Sequence, residues 1–87
     1  MTFFMPYSVY IIFSASADQY YVGHTENLTD RLYRHQNSGS KSTRKANDWQ
    51  LVYSEAYPTR AEAAARERAL KAKKSRFYIE ELIRSKN

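Results

Sequence analysis

Between Tyr7 and Phe13 the chain sets Tyr7, Val9, Ile11 and Phe13 on one series of alternating positions and Ser8, Tyr10 and Ile12 on the other. A strand of this kind is apolar on both faces, so both faces have to be covered. This restricts the possible folds more than any other feature. A short stretch of small and polar residues follows, Ser14-Ala15-Ser16-Ala17-Asp18, and then a second β-prone run from Tyr20 to His24. The economical reading is a hairpin. Alternation assigns Tyr21 and Gly23 to one face of the second strand and Tyr20, Val22 and His24 to the other. Only one tyrosine of that pair can serve a given site, and His24 is not expected to share a site with Tyr21.

Asn27 followed by Asp30 has the form of a helix cap, and Leu28 with Leu32 supplies an apolar stripe, which predicts a helix over about residues 28 to 36. Arg31 and His35 lie four apart on it and share a face. Residues 37 to 48 have loop chemistry and carry Lys41, Arg44 and Lys45. Gln50 to Ala56 reads as a third strand ended by Pro58, with Trp49 ahead of it as a lid on the core. Thr59-Arg60-Ala61-Glu62 is a capping box before an Ala-rich helix that runs to about Lys73. Ser75 can cap a last helix in which Ile79, Leu82 and Ile83 form the stripe and Phe77 or Tyr78 anchors the start. The expected fold is α/β in the α+β sense: a small, mainly antiparallel three-stranded sheet flanked by three helices, in the order β-β-α-β-α-α. At 87 residues, one domain over residues 1–87 is expected.

The net charge of +5 is unevenly placed, since all fourteen Lys and Arg come after residue 30. Residues 31 to 45 hold five cations and no acid, and residues 60 to 76 hold seven cations against Glu62 and Glu67. Such concentration fits a polyanionic partner, although a solvated cationic surface would look the same. With no cysteine, neither disulfides nor a thiolate metal site is available, which fits a reducing cytoplasm, the expected location. No apolar run approaches the ~20 residues that span a bilayer. The first thirteen residues lack the cationic leader of a signal peptide, so none is expected there.

Ser8-Val9-Tyr10-Ile11-Ile12, then Tyr20-Tyr21-Val22-Gly23, then Arg31 with His35 four positions on, then Glu67 in a helical pattern: this succession resembles the catalytic core of the GIY-YIG endonuclease superfamily, most closely its small stand-alone bacterial branch. The resemblance runs from Val9 to about Phe77. It matches Tyr10 to the tyrosine of the first motif, Tyr21-Val22-Gly23 to the second motif, and Arg31 to the catalytic arginine. His35 matches a polar residue often found four positions later, and Glu67 the metal-binding glutamate. Ser8 stands where the first motif has glycine. Many members also carry an asparagine one helix after the glutamate, whereas here the only later one is Asn87.

The resemblance implies a metal-dependent DNA endonuclease that leaves a 5′-phosphate and a 3′-hydroxyl, and that acts on particular DNA structures or in repair or recombination. Mg²⁺ or Mn²⁺ would be the cofactor, held by Glu67. The residue chemistry agrees. A phenol ionises near pH 10, so a tyrosine serving as base at neutral pH needs a neighbouring cation. Arg31 can provide it, and its planar fork also suits the charge that builds on phosphoryl oxygens. A lone carboxylate suits Mg²⁺, which keeps several waters and accepts phosphate oxygens. Lys41, Arg44, Lys45, Lys71, Lys73 and Lys74 are the expected contacts to the nucleic-acid backbone, with DNA the expected partner. A monomer that takes specificity from another protein is expected. Plainer explanations exist for each residue: strand aromatics for the tyrosines, a wet helix face for Arg31, a hydrogen-bonding role for His35, and a Glu67–Lys71 helix pair. Two further readings stay open, a non-catalytic nucleic-acid-binding module of the same fold and a domain whose basic helix meets an acidic protein.

Overall fold

The computed structural model describes residues 4–37 and 43–86. Strands β1 (Tyr7–Ser14), β2 (Gln19–Thr25) and β3 (Gln50–Tyr57) and helices α1 (Leu28–Gln36), α2 (Arg60–Ala72) and α3 (Arg76–Lys86) follow one another in the expected order, two strands, a helix, a strand and two helices. The sheet is ordered β2-β1-β3 and both pairings are antiparallel. The doubly apolar strand is therefore the central one. Val9, Tyr10, Ile11 and Ile12 are all 0% exposed.

Its two faces feed two separate cores. Val9 and Ile11 cluster with Val22, Ala63, Leu70 and Ile79, so α2 and α3 cover that side. Tyr10 and Ile12 cluster with Ala46 and Trp49, and Tyr21, Leu28 and Leu32 pack on them, so α1 and the segment before β3 cover the other. Full burial of each aliphatic side chain contributes about 1.5–3 kcal/mol, which makes β1 the main hydrophobic contributor to both layers. Trp49 is buried as expected. Opposite β1 the third strand carries one residue too many: Ile11 faces Tyr53 and Ile12 faces Leu51, so Val52 forms a bulge.

The connections follow the local chemistry of the sequence. Asn27 Oδ1 accepts from the Asp30 N–H at 3.0 Å, Thr59 Oγ1 from the Glu62 N–H at 3.2 Å, and Ser75 Oγ from the Tyr78 N–H at 3.1 Å, so each helix has its side-chain cap. The β1–β2 turn passes through Asp18 at φ 54°. It is tied down from two sides. Arg76 Nη2 donates to Asp18 Oδ1 at 2.8 Å, and Asp48 accepts from the Ser14 hydroxyl at 2.5 Å and the Ser16 N–H at 2.8 Å. Among the described residues no helix is long and apolar enough to cross a membrane.

One ionic cluster joins β3 to α2. Glu55 accepts a two-pronged contact from Arg66, Nε at 2.9 Å and Nη2 at 3.1 Å, together with the hydroxyls of Tyr57 at 2.7 Å and Tyr53. Burial alone would push Glu55 upward, but the guanidinium and the two phenols outweigh it and hold the carboxyl at about 2 instead of 4.5. Because the folded value lies below the unfolded one, the stabilisation is complete above about pH 4.5 and is lost as pH falls toward 2. Thermal unfolding of Glu55→Gln should show a loss of about 1–3 kcal/mol at pH 7 and a flatter decline between pH 4.5 and 2 than in wild type. Parallel curves for the two proteins would remove Glu55 from this role.

Candidate active site across the edge of strand β2

Gly23 lies opposite Tyr10 in the β1–β2 ladder. A Cβ on Gly23 would come 2.6 Å from the Tyr10 hydroxyl and 2.7 Å from its Cζ, so the tyrosine ring occupies the space a side chain would have filled. From there the Tyr10 hydroxyl reaches His35 Nε2 on α1 at 2.8 Å. His35 is 1% exposed, and its Nδ1 is hydrogen-bonded to Thr43 Oγ1 at 2.7 Å. Trp49 Nε1 in turn donates to the Thr43 carbonyl at 2.8 Å. The second tyrosine joins them: the Tyr21 ring centroid is 5.0 Å from that of His35 and 6.4 Å from that of Tyr10.

Arg31 stands one helical turn before His35 and is half-buried. Among the described residues it has no carboxylate partner, for Asp30 pairs with Arg34 instead. Its charge is felt by both neighbours. Burial first, and then Arg31, hold the His35 imidazole below its ordinary value of 6.5, so the ring is neutral at pH 7, donating at one nitrogen and accepting at the other. Burial chiefly, then the neighbouring Tyr21, raise the Tyr10 phenol well above 10, while Arg31 pulls it partly back. Tyr10 is thus a neutral hydroxyl at physiological pH. Tyr21 is only half-buried.

Glu67 comes from the opposite layer. It lies on α2 between the buried Ala63 and Leu70, on the side that faces Val22 and His24 of β2. Its Oε1 lies 2.7 Å from His24 Nδ1, and its Oε2 accepts from Lys71 Nζ at 2.7 Å. Burial would raise the carboxyl, but Lys71 and His24 overcome that and keep it below the usual carboxylate range, so it is ionised. The alternation read from the sequence holds, with His24 and Tyr21 on opposite faces. The candidate residues themselves lie on both sides of the strand, and His24 meets one of them, Glu67. Lys71 links the halves: while bonded to Glu67 it sits 5.5 Å over the Tyr21 ring.

Tyr10, Tyr21, Arg31 and His35 are thus grouped on the α1 side, and Glu67 reaches the same edge of β2 from the α2 side. Of the expected backbone contacts, Arg44 and Lys45 are exposed in the turn that also carries Thr43, and Lys71, Lys73 and Lys74 are exposed at the end of α2. Lys41 and Asn87 lie outside the described residues. Lys73 Nζ is 5.1 Å over the Tyr78 ring, and Lys74 has φ 49° where α2 gives way to α3. Thr43 was not among the expected residues, and nothing in a loop Ser/Thr run distinguishes it. A single carboxylate fits a divalent ion that fills its other positions with water and phosphate oxygen. Among the described residues there is no cluster of three or more His, Cys, Asp or Glu that would make a closed metal cage.

The model of the GIY-YIG catalytic domain matches residues 6–80 of the chain. A UPF0213 protein from Bacillus halodurans, solved in solution by NMR, is 31% identical with a TM-score of 0.58, over 92% of this chain and 84% of its own. No curated protein is significantly similar. With the domain match extending from before β1 into α3, and a solved relative at that identity over most of both chains, the chain belongs to the GIY-YIG family, a family of nucleases.

Proposed function

We propose that the chain is an endonuclease that hydrolyses phosphodiester bonds in DNA with the help of a divalent metal ion, acting on branched or damaged structures in repair or recombination. The observation that carries the reading is the convergence at the β2 edge: Lys71 touches the Glu67 carboxylate at 2.7 Å and the Tyr21 ring at 5.5 Å, so a phosphate seated there would meet residues from both layers. Glu67 would hold Mg²⁺ or Mn²⁺, which when bound supplies Lewis-acid polarisation of the phosphoryl group. Arg31 offers directional donors to the charge that builds on the non-bridging oxygens.

The two tyrosines differ in what they can do. Tyr10 is sealed from solvent, its phenol is raised, and its hydroxyl is bonded to His35, so it maintains the geometry of the residues around it. Tyr21 is the phenol within reach of substrate, and it orients the attacking water in line with the scissile bond. His35, neutral and held by Thr43, supports Tyr10 and packs on Tyr21. Arg44, Lys45, Lys71, Lys73 and Lys74, with Lys41, serve the flanking backbone. A non-catalytic binding module is the second reading, favoured by the engagement of both Glu67 oxygens with protein partners.

Cleavage and binding measured on flapped, branched, nicked and single-stranded DNA with Mg²⁺ or Mn²⁺ separate these readings. Tyr21→Phe, Arg31→Ala and Glu67→Ala should each lower turnover about 10²- to 10⁴-fold with little change in affinity, because the lost interactions form in the transition state. Tyr10→Phe and His35→Ala should be milder. Binding without cleavage by the wild type, or equal residual cleavage in every variant, would leave only the binding module.

Backbone contacts should also appear in the salt dependence of affinity. Each lost phosphate contact reduces the slope of log affinity against log salt by about 0.9 on duplex DNA. The Arg44→Ala/Lys45→Ala double variant should therefore lose about 1.8 from the slope. An unchanged slope would take this turn out of the interface.

A further inference from the structure

Glu67 is gripped at both oxygens, but the two grips differ in kind. Lys71 reaches Oε2 from the next turn of the same helix, with 48% of its side chain in solvent. Such a pair contributes about 0.3–0.5 kcal/mol and is readily exchanged for another cation. His24 reaches Oε1 from β2, where its backbone is paired opposite Val9 in the ladder, and its side chain is 26% exposed against 19% for Glu67. A strand residue in a paired register cannot follow the carboxylate as a flexible lysine can. The direction of the proton also follows. A carboxylate oxygen only accepts, so His24 Nδ1 carries the hydrogen and donates it.

We propose that His24 is a positioning residue for the metal-holding carboxylate. Its Nδ1–H pins Glu67 Oε1 against the edge of β2, leaving Oε2 as the oxygen that is turned toward Tyr21 and available to a divalent ion once Lys71 lets go. Lys71 marks the place, since its ammonium already spans the gap between Oε2 and the Tyr21 ring. A hydrogen bond that fixes a metal-ligating group commonly changes metal affinity 10- to 100-fold. The inference rests on Glu67 as the protein ligand of the ion in the proposed nuclease, and it adds a residue of this chain that holds the ligand without touching the metal.

Mn²⁺ binding to the full chain, followed by the electron paramagnetic resonance signal of free Mn²⁺, tests it. His24→Ala should weaken Mn²⁺ binding at least about 10-fold. His24→Asn, whose amide N–H lies close to the position of imidazole Nδ1, should recover most of the loss, and an unchanged amide NMR fingerprint establishes that both variants are folded. Pulsed spectra of the wild-type complex should lack the nitrogen coupling of a directly bound imidazole. Wild-type affinity in His24→Ala, no recovery in His24→Asn, or a directly coordinated imidazole nitrogen would each overturn the positioning role. Glu67→Gln keeps the two levels apart. If it abolishes Mn²⁺ binding while His24→Ala does not, the positioning role alone fails; if it binds as wild type does, the metal site of the proposed function fails with it.

Discussion

The Tyr10 ring lies across bare backbone at Gly23, and the position of α1 against the sheet depends on that contact. A side chain on Gly23 would meet the hydroxyl at 2.6 Å, and a ring that is 0% exposed has no free volume into which to retreat. Because the ring can lie there, its hydroxyl reaches His35, and His35 in turn holds Thr43 and the turn it begins on the same face. Trp49 closes that layer by donating to the Thr43 carbonyl while accepting at its own carbonyl from Gln36 Nε2 at 2.9 Å. One absent side chain thus fixes where α1, the turn at Thr43 and the start of β3 meet the sheet.

The opposite layer is assembled by different means. Ala63 and Leu70 of α2 pack on Val22, and between them the helix carries a carboxylate where an apolar residue would complete the stripe. Burying that charge is costly unless it is partnered, and His24 with Lys71 supplies the partners. The Glu55–Arg66 pair, farther from the β2 edge on β3, follows the same rule with two tyrosine hydroxyls completing it. The two ionic clusters leave different opportunities. Glu55 is saturated by a bidentate guanidinium and two phenols, whereas Glu67 has one partner on a strand and one on a mobile stem.

Much of this was legible because each element carries its own local signal. The doubly apolar run Tyr7–Phe13 anticipated a strand covered on both faces, the caps at Asn27, Thr59 and Ser75 anticipated three helix starts, and with the β-prone runs Tyr20 to His24 and Gln50 to Ala56 the order of elements followed. The tyrosines, Arg31, His35 and Glu67 could be named because their types and order match a known motif. What escaped is what depends on how layers close over one another. Period-2 alternation correctly put His24 and Tyr21 on opposite faces of β2, yet it says nothing of a helix reaching the strand's open edge from the far side. Thr43 lies in a run of loop residues where no periodicity operates, and its part in the site comes from its contacts with His35 and Trp49. The bulge at Val52 has no distinct signal in the run Leu51-Val52-Tyr53, where three apolar residues follow one another.

The central claim is that residues on both sides of β2 act on one phosphate, and paramagnetic broadening by Mn²⁺ tests it most directly. The Arg31→Ala protein, which should bind DNA without cutting it, is placed on the best branched substrate, and its side-chain signals are followed by NMR as Mn²⁺ is added. A shared site requires the Tyr21 ring on the α1 side to broaden together with Glu67 and His24 on the α2 side, each more strongly with DNA than without. Broadening confined to the α2 side, with the Tyr21 ring untouched when DNA is bound, would mean that the two clusters are independent and would contradict a single active centre across the strand.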